Sequence, residues 1–293
     1  MKISYYPGCT LKTKAKNLEK AALASLDALG VEYEELDRWN CCGAVYSLSD
    51  DDLIHLVAPV RDLIRVKESG HDTLITLCSM CYNTLARANE LMKNDEVKRK
   101  TINDFMDEEP DYAGEVRVMH FLDFFREVVG FDKIKEKVTN PLKDLKVAPY
   151  YGCTLLRPEE VALDRPDKPE VMHQFLTAIG ATVVDFPSQT TCCGSYQVLG
   201  NAEATLKVSN DIIQNAISHG AEALAMTCPL CEYNLGTSQK KMAAKFEGTK
   251  GLPTFYFTQL LAAALGLDTE ILHLELNLDG SAELLKQKNL VKA

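Results

Sequence analysis

Short apolar runs alternate with amphipathic stretches from one end of the chain to the other. Residues 2–6 alternate and stop at Pro7-Gly8, a strand followed by a turn. Over residues 14–29, Leu18, Ala22, Leu26 and Leu29 recur at helical spacing, and Gly30 supplies the stop. Residues 31–36 read as a second strand. Asp50, Asp51 and Asp52 suit the start of a helix over 53–67 that closes near Gly70. Residues 73–77 form a short apolar strand, and a helix beginning near Met80 carries Leu85 and Ala88. Residues 116–119 and 121–129 complete this half as a strand and a closing helix.

The same order then repeats. Residues 147–151 lead to Gly152-Cys153-Thr154 as residues 3–6 led to Gly8-Cys9-Thr10. A helix over 168–179, a strand over 182–186, a helix over 202–219 and a strand over 223–227 follow, and residues 254–257 correspond to 118–121. Strand alternating with helix predicts an α/β fold. The expected architecture is two tandem pseudo-symmetric domains, 1–140 and 141–293, each a small mostly parallel sheet flanked by helices. Two tracts break the symmetry: about 14 extra residues between Cys81 and His120, and a proline-rich loop over 157–169. The stretch from about residue 271 lies outside the repeat and is expected to pack on a neighbour.

Composition changes this picture little. Of the 293 residues, 46% are hydrophobic and 25% charged, enough for an ordinary core. No apolar run reaches membrane-spanning length, and the first residues lack a signal-peptide layout. A cytoplasmic protein with reduced thiols is therefore expected. The net charge of −10 argues against nucleic acid and anionic membrane surfaces as partners.

The cysteines change it a great deal. The first half reads Cys9, 31 residues, Cys41-Cys42, 35 residues, Cys78, two residues, Cys81. The second reads Cys153, 38 residues, Cys192-Cys193, 34 residues, Cys228, two residues, Cys231. Corresponding cysteines are 144, 151, 151, 150 and 150 residues apart, so all ten belong to an internal duplication. Most follow predicted strands, and the ends of parallel strands share one edge, where ligands bind. Several precede helices, whose free amides stabilise negative sulfur, and Pro229 suits the first position of such a helix. A cubane cluster or a structural zinc needs four ligands, whereas each half offers five, two of them adjacent. That count favours an iron–sulfur centre larger or less symmetric than a cubane. Structural zinc in one or both halves, a disulfide framework and a redox Cys-x-x-Cys remain the competing readings.

The doubled pattern Cys…Cys-Cys-Gly…Cys-x-x-Cys resembles the cysteine-rich CCG domain. Over nearly its whole length the chain is similar to the B-type subunits of heterodisulfide reductase from methanogenic archaea. Gly8-Cys9-Thr10, Cys41-Cys42-Gly43, Cys78-Ser79-Met80-Cys81 and their second copies carry the resemblance. The resemblance implies two noncubane [4Fe-4S] clusters. Cys9, Cys41, Cys42, Cys78 and Cys81 would hold one, and Cys153, Cys192, Cys193, Cys228 and Cys231 the other. It also implies two-electron reduction of the coenzyme M–coenzyme B disulfide to two thiols. CCG domains occur as well in components of hydroxy acid and succinate oxidoreductases, which supplies the alternative function. The chain has neither a ferredoxin cysteine run nor a Gly-x-Gly-x-x-Gly signature. Electrons must then come from partners. The resemblance implies a small ferredoxin-like C-type subunit and a flavin-containing A-type subunit, with a hydrogenase or formate dehydrogenase behind them.

The substrate disulfide is expected between the halves. Its sulfonate and phosphate ends call for cations, for which Lys12, Lys14, Lys16, Arg157, Arg165 and Lys168 are candidates, each also readable as a surface charge. His120, at a strand end, is expected to be hydrogen bonded and structural rather than a proton donor. Tyr5, Tyr6, Tyr150 and Tyr151 read as strand packing.

Overall fold

A computed structural model describes residues 3–44 and 52–291. Eight short strands form two sheets: β1 (Ile3–Tyr6), β2 (Glu34–Glu35), β3 (Thr73–Thr76) and β4 (Arg117–His120) in one, β5 (Lys146–Pro149), β6 (Thr182–Val183), β7 (Ala223–Met226) and β8 (Thr254–Tyr256) in the other. All pairings are parallel, in the orders β2-β1-β3-β4 and β6-β5-β7-β8. The two orders are the same, so the duplication read from cysteine spacing is a duplication of topology.

In the first half the helices are α1 (Gly8–Thr13), α2 (Lys16–Leu29), α3 (Val57–Glu68), α4 (Ser79–Asn94), α5 (Glu96–Phe105), α6 (Phe121–Phe124) and α7 (Phe131–Lys137). In the second they are α8 (Val171–Ala178), α9 (Ala202–Ser218), α10 (Pro229–Glu232), α11 (Gln239–Lys245), α12 (Phe257–Ala264) and α13 (Ser281–Gln287). Asp52 starts its helix as the sequence predicts, its carboxylate accepting from Ile54 N, while Asp50 and Asp51 lie outside the described residues. Two details differ from the sequence reading. Cys9 sits in a short helix of its own, because Gly8 at φ +70° turns the chain straight from strand to helix. The strands predicted over 31–36 and 182–186 shrink to two residues each, being outermost in their sheets with one neighbour only.

The two halves share one core. An aromatic cluster crosses the seam: Phe125 stacks on Phe175 at 6.2 Å, and Phe257 meets both at 6.4 and 5.6 Å. Helix α12 lies on α2, where Thr258 Oγ1 donates to Leu18 O across the halves. The C-terminal stretch expected to pack on a neighbour packs on its own chain. Asn277 bonds Gln259 and Asn17, Lys288 pairs with Glu222, and Asn140 Nδ2 donates to Leu290 O. Its apolar residues Leu272, Leu285 and Leu290 are buried in the common core.

Candidate metal centre

Cys9 and Cys78 follow the C-terminal ends of β1 and β3, and Cys153 and Cys228 those of β5 and β7. Parallel pairing therefore brings these residues to one edge of each sheet. Cys78 and Cys228 are the N-cap residues of α4 and α10, and Pro229 occupies the first turn of its helix, as predicted. Cys81 and Cys231 follow within the first turn, and their backbone N–H groups help hold negative charge on the Cys78 and Cys228 sulfurs.

The ten sulfurs form one connected row. Cys9 lies 3.6 Å from Cys41, which is hydrogen bonded to Cys42. Cys42 and Cys81 are near enough to shift each other's ionisation, as are Cys81 and Cys78. The row then crosses the seam, where Cys78 and Cys228 are close enough for each to shift the other's ionisation. It continues through Cys231, Cys193 (3.7 Å from Cys231), Cys192 and Cys153. Beside the crossing, Ser79 and Thr227 share a hydrogen bond of 2.5 Å. The middle is closed: Cys78 and Cys228 are buried, while Cys9 and Cys41 are exposed and Cys153, Cys192 and Cys231 half-buried. Among the described residues the inner thiols are therefore the covered ones, and Cys9 and Cys41 are those most open to solvent.

The donor chemistry suits a polynuclear thiophilic centre. Hydrogen bonds from Cys41 and Cys81 hold the Cys42 thiol well below its ordinary value, while the bond to Cys42 pushes Cys41 and Cys81 up. The second half behaves alike. The bond from Cys153 lowers Cys192 to about 2, and the bond to Cys192 raises Cys193 to about 11. Neighbouring sulfurs thus compete for the right to ionise, and a cationic iron core at their centre would relieve that competition.

Glycine and tyrosine seat both sets alike. A Cβ on Gly8 would stand 3.0 Å from Cys81 Sγ, and one on Gly152 would stand 3.5 Å from Cys231 Sγ. Gly8→Ala is therefore expected to destabilise the fold by more than Gly30→Ala. Both sites are left-handed, a cost of ~1–2 kcal/mol, but at Gly30 nothing lies within 4 Å. Urea denaturation of the two variants reads the difference. Tyr6 donates to Asn40 O at 2.6 Å and Tyr150 to Thr191 O at 2.6 Å, so each hydroxyl clamps the peptide just before a cysteine pair. Tyr5 bonds Glu19, and Tyr151 donates to His173, whose own amide and that of Met172 bond the Tyr151 oxygen. All four are buried; Tyr5 and Tyr6 pack from β1 as expected, whereas Tyr150 and Tyr151 lie just past the end of β5.

Of the candidate cations, Lys12 is held by Glu19 and Glu35, Arg165 by Asp167 and Lys168 by Glu170. These are paired surface charges. Lys14 and Lys16 are exposed. Arg157 is close enough to Cys192 to help hold that thiol down. A groove of about 860 Å³ opens elsewhere, between α7 and α8, lined by Arg126, Lys135 and His173 but by no cysteine.

His120 is buried. Its Nδ1 accepts from Leu122 N, so Nε2 carries the proton and donates to Leu77 O at 2.9 Å. Burial lowers its pKa to about 4, so it is neutral and structural, as expected. A histidine depressed on folding stabilises above its unfolded pKa of about 6.5, and that stability is lost as pH falls towards 4, roughly 3 kcal/mol in all. The stability gap between the protein and its His120→Gln variant is expected to narrow over that window in urea titrations.

Four polar residues escape a reading centred on cysteines. Asp62 accepts from Asn40 N, and burial raises its carboxyl to about 8. Glu232, next to Cys231, is raised to about 7 by burial. Asn83 Nδ2 donates across the seam to Thr154 O and Arg157 O at 2.8 and 2.7 Å, and Asn234 grips the Cys193 turn. For Asn83, Glu232 and Asn234 the signal in the sequence is polar residues in the turn after each Cys-x-x-Cys; Asp62, in α3, carries none.

Both halves match one protein family: the model of the cysteine-rich domain, CCG, covers residues 3–86 and 147–236. The 8-methylmenaquinol:fumarate reductase membrane anchor subunit of Wolinella succinogenes is 31% identical, over 96% of this chain and 98% of its own. Among the described residues of this chain no helix is long and apolar enough to cross a membrane. The B subunit of a ferredoxin/F(420)H(2)-dependent CoB-CoM heterodisulfide reductase of Methanosarcina acetivorans is 30% identical, over 94% of this chain and 93% of its own. A crystal structure of a hypothetical protein from Helicobacter pylori superposes with a TM-score of 0.72 at 15% identity, over 94% of this chain and 51% of that one, and shares the fold. Two copies of one sheet topology, each ending in the same five thiols, together with a family match to both halves, make this chain a member of the cysteine-rich CCG family, of the type found as the B subunit of heterodisulfide reductase.

Proposed function

We propose that this chain is the disulfide-reducing component of a heterodisulfide reductase-type complex. The unbroken row of ten thiols across the seam supports this reading. In it, Cys9, Cys41, Cys42, Cys78 and Cys81 hold one noncubane [4Fe-4S] cluster. Cys153, Cys192, Cys193, Cys228 and Cys231 hold the second. These centres would supply the two electrons that cleave the coenzyme M–coenzyme B disulfide, and two protons complete the thiol products. The protein's own part is to seat the thiols: helix α4 and α10 amides face the inner sulfurs, and Tyr6 and Tyr150 fix the approach to each cysteine pair. Arg157, beside Cys192, is placed to favour negative charge there. Electrons arrive through a ferredoxin-like partner fed by a flavoprotein partner, the chain working inside the cell.

Two measurements test the reading. Purified protein is expected to carry about eight irons with matching sulfide, and with a reduced viologen to turn over the disulfide. Zinc in place of iron in either half contradicts the ligand assignment. The fumarate reductase relative favours a second reading, an electron-passing component of a succinate or hydroxy acid oxidoreductase. Under that reading the iron persists, but disulfide turnover is absent and quinol-dependent reduction of fumarate appears on assembly.

A further inference from the structure

Helix α10 does not run on regularly. It widens into a π turn over Tyr233–Thr237, a local distortion found often at functional sites. Asn234 lies in that turn, buried, with Nδ2 3.0 Å from Ser195 O, 3.3 Å from Cys193 O and 3.4 Å from Cys193 Sγ. Two carbonyls among these acceptors require the nitrogen, not the oxygen, on this side. The Cys193 carbonyl also accepts from Ser209 Oγ at 3.0 Å, so it is satisfied without the amide. An N–H is thereby left for the sulfur. The other end of the same side chain, Oδ1, is buried with no partner among the described residues. A buried acceptor without a donor is costly, and its retention points to a use for the donor end. The first half lacks the device: three residues after Cys81 stands Thr84, where three residues after Cys231 stands Asn234.

We propose that Asn234 is a positioning residue that raises the reduction potential of the second-half centre through its N–H···S bond to Cys193. The inference rests on the iron–sulfur reading of both thiol sets. A donor to sulfur stabilises the more negative, reduced state and so makes reduction easier. The guanidinium of Arg157 near Cys192 acts with the same sign on the same set.

The test is a potentiometric titration of the intact protein with dithionite, each centre taking one electron from that reductant and being followed by EPR. Cys9→Ala and Cys153→Ala proteins, each expected to keep only the other signal, assign the two. In Asn234→Thr and Asn234→Leu the second-half signal is expected to move to lower potential while the first stays in place. In Thr84→Asn the first-half signal is expected to move to higher potential. An unmoved second-half midpoint in both Asn234 variants, or an equal shift of both signals, overturns the proposal. Should the Asn234 variants lose their iron, Thr84→Asn decides: an upward shift sustains the proposal and an unmoved midpoint overturns it. Parent protein without iron and sulfide overturns the underlying reading instead, and is recognised before any titration.

Discussion

Cys228→Ala is expected to damage both thiol sets, not only its own. Cys228 is buried at the start of α10, and its ionisation is shifted by Cys231 in its own half and by Cys78 in the other. It is a joint of the row, whereas Cys9 is its exposed end, next to Cys41. Loss of an outer-shell partner costs a metal site 10–100-fold in affinity or activity. Loss of a ligand that also borders the second set is expected to exceed that, with disulfide turnover down by more than about 100-fold. Iron analysis and EPR should show both signals diminished in Cys228→Ala but the second-half signal intact in Cys9→Ala. A Cys228→Ala protein that keeps its full first-half signal would show the two centres to be independent.

Phe257→Ala is expected to have the largest effect on stability. The ring is fully buried at the start of α12 and packs against Phe125, Phe175 and His120 at 6.4, 5.6 and 5.9 Å. Phe125 and His120 come from the first half and Phe175 from the second, so one ring joins both. Truncating a buried phenylalanine costs ~3–5 kcal/mol. Because the cavity opens on the seam, the Cys78–Cys228 contact should loosen with it. Urea denaturation is expected to show that loss, and a single transition in the parent protein giving way to two in the variant would reveal halves that no longer fold as one. A cost below about 1 kcal/mol would mean that the seam is held elsewhere.

These expectations draw on the sequence and the structure unequally. Helical spacing in residues 14–29 and 202–219, and apolar runs at 73–77 and 223–227, put the major elements in place because each buries one face or all of a short strand. The outermost strands are shorter than their apolar runs suggest, since a strand with one neighbour ends where pairing ends. The candidate cations were legible as charges, but not their carboxylate partners. Lys12 meets Glu35, 23 residues away, only once β2 lies beside β1. His120 is hydrogen bonded as its strand-end position suggested, but that its ring is buried and its partners are the Leu77 and Leu122 backbone follows only from the tertiary structure.

By itself, the sequence determined the ten thiols, their division into two equal sets and the repeat that carries them, because spacing along a chain is preserved by duplication whatever the fold does. The tertiary structure alone decided that the two sets meet at Cys78 and Cys228, that this meeting is closed to solvent, and that Asn83 reaches into the other half while Asn234 turns back to Cys193. Those facts depend on how two hydrophobic surfaces dock, and docking follows from the shapes of buried side chains such as Phe125, Phe175 and Phe257, which no linear pattern of polar and apolar residues encodes.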